Sequence, residues 1–559
     1  MNSVVLLQPP IQEFYLTHKR TIPYGLCSIA ASLEQAGFET KIIDGLTCSK
    51  SKVLNYPKPF EYLNEFYGQK DGSLFSLFHE FRHFGYSHEH LANQVRRDQP
   101  FVVGISSLFT TYCDQTIETA LAVKRFFPKA YIVAGGHHPT AFPEHMLQCK
   151  AIDFVLRGDG ERSMTKLCNC LKSQDPSCSR HPESLDLKSL KAVPGLCFIH
   201  ENHTHISLPS RETDLDTLAM PAFDKINSNF YQRKKKAAVT VVASRGCPFH
   251  CSYCSVSALS LHPGFRRRST DSIIEEIQTQ ARQKEIGFID FEDENLTLDK
   301  EWILKLLAGI STIFKGQKVE LRAMNGLYPP SLDMQILGAM KDSGFKTLNL
   351  SVGSFSKSQL KRFKRPDVRR AHKNVLDMAG ALGLSSVSYI IGAAPGQTAL
   401  SSLEDLLALA GQRTLAGFSI YYPAPGSLDY SLCRKQNILP EEFSLMRSTA
   451  LPLDHTTSRL EVVTLLRLSR VLNYMKLLAD QGVSPCPLKW SKAGEQTLIE
   501  AGNDRNLLSK TLLEWFLADG ILRGQDKDKK IYAHKTDPDL VHHFLNWTRD
   551  HKVTEVNST

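Results

Sequence analysis

Apolar strand-like runs alternate with helix-length amphipathic segments from residue 4 to residue 430, and this alternation restricts the chain to parallel α/β architecture. In the N-terminal third the β-rich runs fall at 4–7, 40–43, 101–105, 131–133 and 154–156. Helical spacing occupies 24–37, which closes on Ala36-Gly37, and then 114–127 and 161–172. Such an order predicts a doubly wound parallel sheet over 1–173, with ligands held at the carboxyl ends of its strands. Small residues fall at those ends: Ser106-Ser107-Leu108, Gly135-Gly136-His137-His138-Pro139-Thr140 and Arg157-Gly158-Asp159-Gly160-Glu161. Tight turns into helices produce the same glycines, and His137 and His138, beside a proline, read as packing or solvent residues rather than metal ligands.

The insertion at about 47–97 is rich in aromatics and histidine (Phe75, Phe78, His79, Phe81, His83, Phe84, Tyr86, His88, His90) and reads as an amphipathic helical cap with its Phe residues on the sheet. Residues 174–230 read as a linker, polar over 177–190, with a hairpin at 195–199 and 204–208 and a connector at Pro221-Ala222-Phe223-Asp224.

The most specific chemical signal is Cys247-Pro248-Phe249-His250-Cys251-Ser252-Tyr253-Cys254, which follows an apolar run at 238–243. Three thiolates in one Gly- and Pro-containing loop suit three irons of a cubane cluster and leave the fourth iron open. Structural zinc requires a fourth ligand, for which only His250 and His262 lie near. Further strand-like runs at 288–291, 319–324, 347–352, 386–391 and 418–422 alternate with helices at 270–284, 299–314, 331–343, 368–382 and 401–413. Six βα units predict a partial (β/α)6 barrel over 231–430 with its chemistry at the strands' carboxyl ends. The basic run Arg233-Lys234-Lys235-Lys236 reads as solvated linker, and Arg266-Arg267-Arg268 follows the cysteine loop.

The combination resembles the radical S-adenosylmethionine (SAM) enzymes that carry a cobalamin-binding domain, a group of methyltransferase-like proteins. The resemblance covers about 1–430 and implies that Cys247, Cys251 and Cys254 bind a 4Fe–4S cluster whose unique iron chelates SAM. It further implies SAM contacts at Phe249, Tyr253, Asp293, Glu294, Ser351, Ser354 and Gly392, and cobalamin contacts at Ser106, Leu108, Gly135, Gly136 and Gly158. The Asp-x-His-x-x-Gly motif that supplies a cobalt ligand in other cobalamin proteins is absent, as it is in many members of this group. The implied reaction methylates an unactivated carbon. One SAM re-methylates cobalt and another yields a 5′-deoxyadenosyl radical, with electrons from a donor such as flavodoxin or ferredoxin. A ring-forming or rearranging radical SAM enzyme is the alternative, and a cobalamin-dependent sensor with a winged-helix output is the alternative from another class. A methylthiotransferase would need a second Cys triad in the N-terminal domain, and none is evident.

Past residue 431 the resemblance fades into a mostly helical region. An amphipathic helix spans 458–481, and helices at 491–501 and 507–519 precede a hairpin at 521–523 and 530–533, the order of a winged helix over 490–536. The segment around Leu512, Leu513, Trp515 and Phe516 is too apolar for a DNA-reading helix, so docking or lid duty is expected and nucleic acid is not. The 559 residues carry 67 basic and 58 acidic side chains, 42% apolar residues and 13 cysteines, which excludes wholesale disorder and a disulfide scaffold. Neither a secretory signal nor a membrane span is evident, and a cytoplasmic enzyme with reduced thiols acting on an unknown substrate is expected.

Overall fold

The computed structural model describes residues 2–15, 22–67, 69–172, 185–259, 264–500 and 504–556. His262 and the 177–184 part of the linker therefore lie outside the described residues.

Five parallel strands, Ser3–Gln8, Glu39–Asp44, Val102–Ser106, Tyr131–Gly135 and Phe154–Leu156, form the first sheet in the spatial order 2-1-3-4-5. Their central residues are apolar on both faces because helices cover both faces. Tyr24–Gln35 and Glu161–Lys172 pack on one side, His88–Asp98 and Cys113–Phe126 on the other. The strand order reverses beside Ser3–Gln8, which places the binding crevice at the loops after the first and third strands. The hairpin expected in the linker instead extends this sheet: Leu196–His200 pairs antiparallel with Phe154–Leu156, and His203–His205 forms the edge.

The barrel follows the expected βα order. Lys236–Val241, Ile286–Phe291 and Glu320–Ala323 form one parallel ladder; Thr347–Gly353, Ser385–Gly392 and Leu415–Ile420 form the other. The bridges Leu321–Phe345 and Leu327–Leu350 join the two ladders into one open barrel. Helices Thr270–Gln283, Lys300–Ile313, Met334–Ser343, Arg369–Leu382 and Ala399–Ala410 form its outer layer, four of them started by a Ser, Asp or Thr side chain accepting a backbone N–H.

The helical cap expected over 47–97 forms only in part: His88–Asp98 is a helix on the first sheet, and the segment before it folds otherwise. Phe81–Phe84 is the central strand of a small antiparallel sheet, pairing with Ile11–Glu13 on one side and Ser51–Leu54 on the other, with a 3₁₀ turn at Lys58–Leu63 between the two strands of the insertion. Phe14, Phe60, Tyr67 and Phe81 form an aromatic cluster against Ala393, Ile420 and Val462, so these rings cover the barrel rather than the first sheet. Three of the insertion's histidines are bound separately: His83 faces the Tyr86 carbonyl, His88 meets Thr119 and Glu118, and His90 meets Gln94, while His79 Nδ1 is buried with no partner among the described residues.

The long helix Arg459–Asp480 starts at a Ser458/Glu461 capping box and crosses the barrel's last strand and helix. Near its C-terminal end Lys476, fully buried, donates to the carbonyls of Ala410, Gln412 and Thr554 at 3.1, 2.7 and 3.0 Å, matching the three N–H groups of an ammonium. Helices Lys492–Glu500 and Arg505–Asp519 and the hairpin Arg523–Gln525/Ile531–Ala533 follow in the expected order, then a further helix, Pro538–Asp550. Leu512, Leu513, Trp515 and Phe516 are buried in a core shared with Leu403 and Leu406 of the barrel, so the module is docked on its own chain. Among the described residues no helix is long and apolar enough to cross a membrane.

Candidate functional site

The cysteine loop is pinned from three directions. Asn295, in the loop after the second barrel strand, donates from Nδ2 to Cys247 Sγ at 2.9 Å. Arg365 donates to Cys251 Sγ at 3.7 Å and to the Tyr253 hydroxyl at 3.1 Å, while also holding the carbonyls of Ser351 and Val352 at 2.6 and 3.0 Å. Ser252 donates its N–H to the Phe363 carbonyl and its hydroxyl to Asp429. Cys251 is buried and Cys247 and Cys254 are half-buried; all the described cysteines are free thiols. Burial pushes the Cys247 thiol up, and burial with the neighbouring Cys251 and Cys247 charges pushes Cys254 up to about 11. Thiols so placed ionise readily only toward a metal, and N–H donors on two of the sulfurs favour the thiolate form. The donor set therefore fits an iron–sulfur cluster.

The two adjacent acids after the second barrel strand do different jobs. Asp293 is fully buried; its oxygens accept the Ser244 hydroxyl and the Ala243 N–H, holding the start of the cysteine loop. That commitment ties Asp293 to the cysteine loop. Glu294 is half-buried beside the thiols, and burial pushes its carboxyl up to about 7. Ser354 is likewise committed: buried, it donates to Asp405 at 2.6 Å and receives the Ser356 N–H, closing the turn after the fourth strand. Ser351, half-buried, stays on the inner register of that strand next to Arg365. Gly392 leaves room for the Phe418 ring, which a Cβ there would meet at 2.3 Å. Phe249 packs on Tyr328 with centroids 4.6 Å apart, and Tyr253 on Phe363 at 4.9 Å. Tyr422, after the last barrel strand, is half-exposed, yet desolvation with the charges of Cys254 and Tyr15 raises its hydroxyl pKa, which places it on the wall of the same cleft.

The first sheet brings its own loops to this cleft. Ser106 pairs with Gly135, and the Ser107 N–H donates to the Gly135 carbonyl at 2.7 Å. Ser107 Oγ is buried with no partner among the described residues, and the next two side chains, Leu108 and Phe109, are 42% and 49% exposed. An orphaned hydroxyl under an exposed apolar lip fits a bound cofactor carrying both polar and apolar surface. His137 is solvent-accessible, yet desolvation lowers its pKa, as expected on a deep cleft wall.

The glycines separate by cause. Gly136 has φ of +122° and a Cβ there would stand 2.4 Å from the Ser107 carbonyl oxygen; Gly158 has φ of +82° and would meet the Ser210 carbonyl at 2.1 Å. At both positions the fold itself requires a glycine. Gly135 is different, since the nearest atom to a Cβ is 3.9 Å away. Gly136→Ala is therefore expected to destabilise the chain by about 1–3 kcal/mol in urea melts, with or without cofactor. Gly135→Leu is expected to leave the melt near wild type and to abolish hydroxocobalamin uptake measured optically; undiminished uptake would remove Gly135 from the cofactor site.

The two sets of loops are clamped together. Arg245 meets Asp159 at 3.0 Å and Glu161 at 2.5 Å, and Arg266 meets Asp159 at 2.5 Å. Ser28 donates to Glu161, and the Glu212 N–H to Asp159. Burial raises the Asp159 carboxyl, but Arg245 and Arg266 overcome it and hold the acid below its ordinary range. Three further arginines of the two basic runs are also engaged. Arg267 pairs with Asp299, Arg268 with the buried Glu276, and Arg233 with Asp290. Beside this clamp the short helix His137–Ala141 abuts Val256–Leu259, just past the cysteines.

Comparison with known proteins agrees with this layout. Residues 79–167 match the B12 binding domain family model, and residues 241–410 match that of the radical SAM superfamily. The chain is 25% identical over 482 residues to cytidylyl-2-hydroxyethylphosphonate methyltransferase of Streptomyces wedmorensis, covering 80% of this chain and 84% of that one. It is 23% identical over 348 residues to an anaerobic magnesium-protoporphyrin IX monomethyl ester cyclase of Cereibacter sphaeroides, covering 61% and 54%. Its fold matches the solved structure of the cobalamin-dependent SAM radical enzyme OxsB with aqua-cobalamin and SAM bound, at TM-score 0.63 and 12% identity over 98% of this chain and 79% of that one. With three clustered cysteines at the mouth of an open barrel and a doubly wound sheet clamped over them, the chain carries a radical SAM domain preceded by a B12 binding domain.

Proposed function

We propose that this enzyme is a cobalamin-dependent methyltransferase acting on an unactivated carbon. The observation that carries the reading is the Arg245–Asp159–Arg266 clamp, which brings the open loops around Ser107 and Gly135 to the cleft that holds Cys247, Cys251 and Cys254. When bound, the cluster supplies the electron that cleaves SAM, and cobalamin supplies the methyl group. Cys247, Cys251 and Cys254 hold the cluster, with Asn295 and Arg365 donating to two of the sulfurs. Glu294 accepts from the ammonium of SAM, Phe249 and Tyr253 flank its adenine, and Ser351 and Gly392 line the same wall. Ser106, Ser107, Leu108 and Gly135 receive the cobalamin tail. Exclusion of water falls to the Phe14–Phe60–Phe81 cap and the docked C-terminal module, and a flavodoxin- or ferredoxin-type donor in the cytoplasm supplies electrons.

Similarity to the cyclase supports a second reading in which the substrate is cyclised without methyl gain. Cells expressing the enzyme and fed methyl-labelled methionine separate the two. A product carrying the intact labelled methyl is expected; a product that loses hydrogen without gaining a methyl would favour cyclisation.

The division of labour between the acids is testable. Glu294→Gln is expected to weaken SAM binding by about ten- to hundredfold, the worth of one charge-assisted hydrogen bond of roughly 1.5–3 kcal/mol, with iron content unchanged. Asp293→Asn is expected to act on the loop instead, lowering cluster retention. Equal effects of both substitutions on SAM affinity alone would refute the division.

A further inference from the structure

Away from the cysteine triad, a second set of metal-type donors converges. Cys113, His138 and His145 each offer a ligand atom, and these atoms lie within 4.8 Å of one another. They come from three elements: Cys113 opens the helix Cys113–Phe126, His138 sits in His137–Ala141, and His145 in Pro143–Leu147. His138 is fully buried. Its Nε2 shares a 3.0 Å hydrogen bond with His145 Nδ1, while its Nδ1 is buried with no partner among the described residues. A buried imidazole nitrogen left unpaired costs about 1–3 kcal/mol, so a fold that keeps one here calls for a ligand. Cys113 Sγ is buried as well, 3.6 Å from Asp114 Oδ1. Phe443, from the segment after the barrel, covers both imidazoles with centroids at 5.0 and 4.7 Å, whereas His145 remains half-buried and leaves an entry path.

We propose that Cys113, His138 and His145 bind a zinc ion, with the fourth position left to water. One thiolate and two imidazoles are donors that zinc takes, and the soft thiolate disfavours magnesium or calcium. Tetrahedral zinc separates its ligand atoms by roughly 3.3–3.7 Å, and the three donor atoms already lie within 4.8 Å of one another. Binding displaces the Cys113 thiol proton to solvent; each imidazole stays neutral and gives one lone pair. The ion would tie the helix after strand Val102–Ser106 to the loop after Gly136, whose His138 N–H already donates to the Ser107 carbonyl at 3.3 Å. It would thus brace both walls of the crevice formed by the first sheet.

The test uses the full chain, purified anaerobically with its cluster in place and equilibrated with zinc chloride, then desalted and assayed for metals. About one zinc per chain is expected beyond the iron. That zinc is expected to persist in the triple variant Cys247→Ala/Cys251→Ala/Cys254→Ala and to fall at least fivefold in both Cys113→Ser and His145→Asn. The half-buried His145 allows the second substitution without emptying a core, and circular dichroism checks the fold of each variant. Cobalt(II) in place of zinc is expected to show a thiolate-to-metal charge-transfer band that Cys113→Ser removes. Absence of zinc from the wild type, zinc unchanged in Cys113→Ser and His145→Asn, or zinc lost with the triad would each overturn the proposal.

Discussion

Cys251→Ala is expected to abolish both the broad visible iron–sulfur absorption and SAM cleavage. Cys251 is the buried member of the triad, and its sulfur is the one Arg365 reaches. The loop offers three protein ligands in all, so losing one leaves a cluster with half of its irons unsupported by protein. The same change also strands the Arg365 guanidinium, which keeps Tyr253 and the carbonyls of Ser351 and Val352 but loses its thiolate partner. Iron analysis and assay of 5′-deoxyadenosine after anaerobic reconstitution read the outcome directly. Full iron content in the variant would remove the cluster from this loop.

Arg245→Ala is expected to cost about 3–5 kcal/mol, because it leaves the buried Glu161 without its cation and the half-buried Asp159 with one instead of two. Glu161 is 3% exposed, and Asp159 retains only Arg266 and the Glu212 N–H. The penalty has a pH signature. Asp159 is held below its ordinary range in the folded chain, so its contribution is present above the unfolded pKa and is lost as pH falls through the folded one. Between those values the wild type should lose stability on acidification, and the Arg245→Ala variant should lose less. The clamp also spans the two domains, so early proteolytic separation of the first sheet from the barrel is expected in the variant. A variant as stable as wild type, with the same acid dependence, would show that the clamp does not hold the domains together.

The strands of the sheet and of the barrel are legible because each is a short apolar run between turn residues. The observed Ile286–Phe291, Thr347–Gly353 and Ser385–Gly392 lie within a residue or two of the runs seen in the sequence. The insertion is only partly legible, for a physical reason. Ser51–Leu54 and Phe81–Phe84 are strands because they pair with each other and Ile11–Glu13 adds to Phe81–Phe84, and local aromatic density carries no trace of either pairing. The cysteine triad is a local pattern and is legible for the same reason that the strands are. Arg365 and Asn295, which reach the sulfurs from 114 and 48 residues away, are not, although an Arg and an Asn beside barrel turns are at least suitable donors. Asp293 and Glu294 are adjacent and chemically alike, and only the Ser244 and Ala243 partners tell them apart. Gly135, Gly136 and Gly158 look equivalent as glycines, yet two of them face carbonyl oxygens that exclude any side chain and one faces open space.

The central claim is that one chain brings an iron–sulfur cluster and cobalamin to a shared cleft for methyl transfer. Anaerobic reconstitution of the full chain with iron, sulfide and hydroxocobalamin, followed by reduction in the presence of methyl-labelled SAM, tests it most directly. The account predicts about four iron and one cobalamin per chain, release of 5′-deoxyadenosine, and appearance of the labelled methyl group on the bound cobalamin. A chain that takes up iron and cleaves SAM but binds no cobalamin would contradict it.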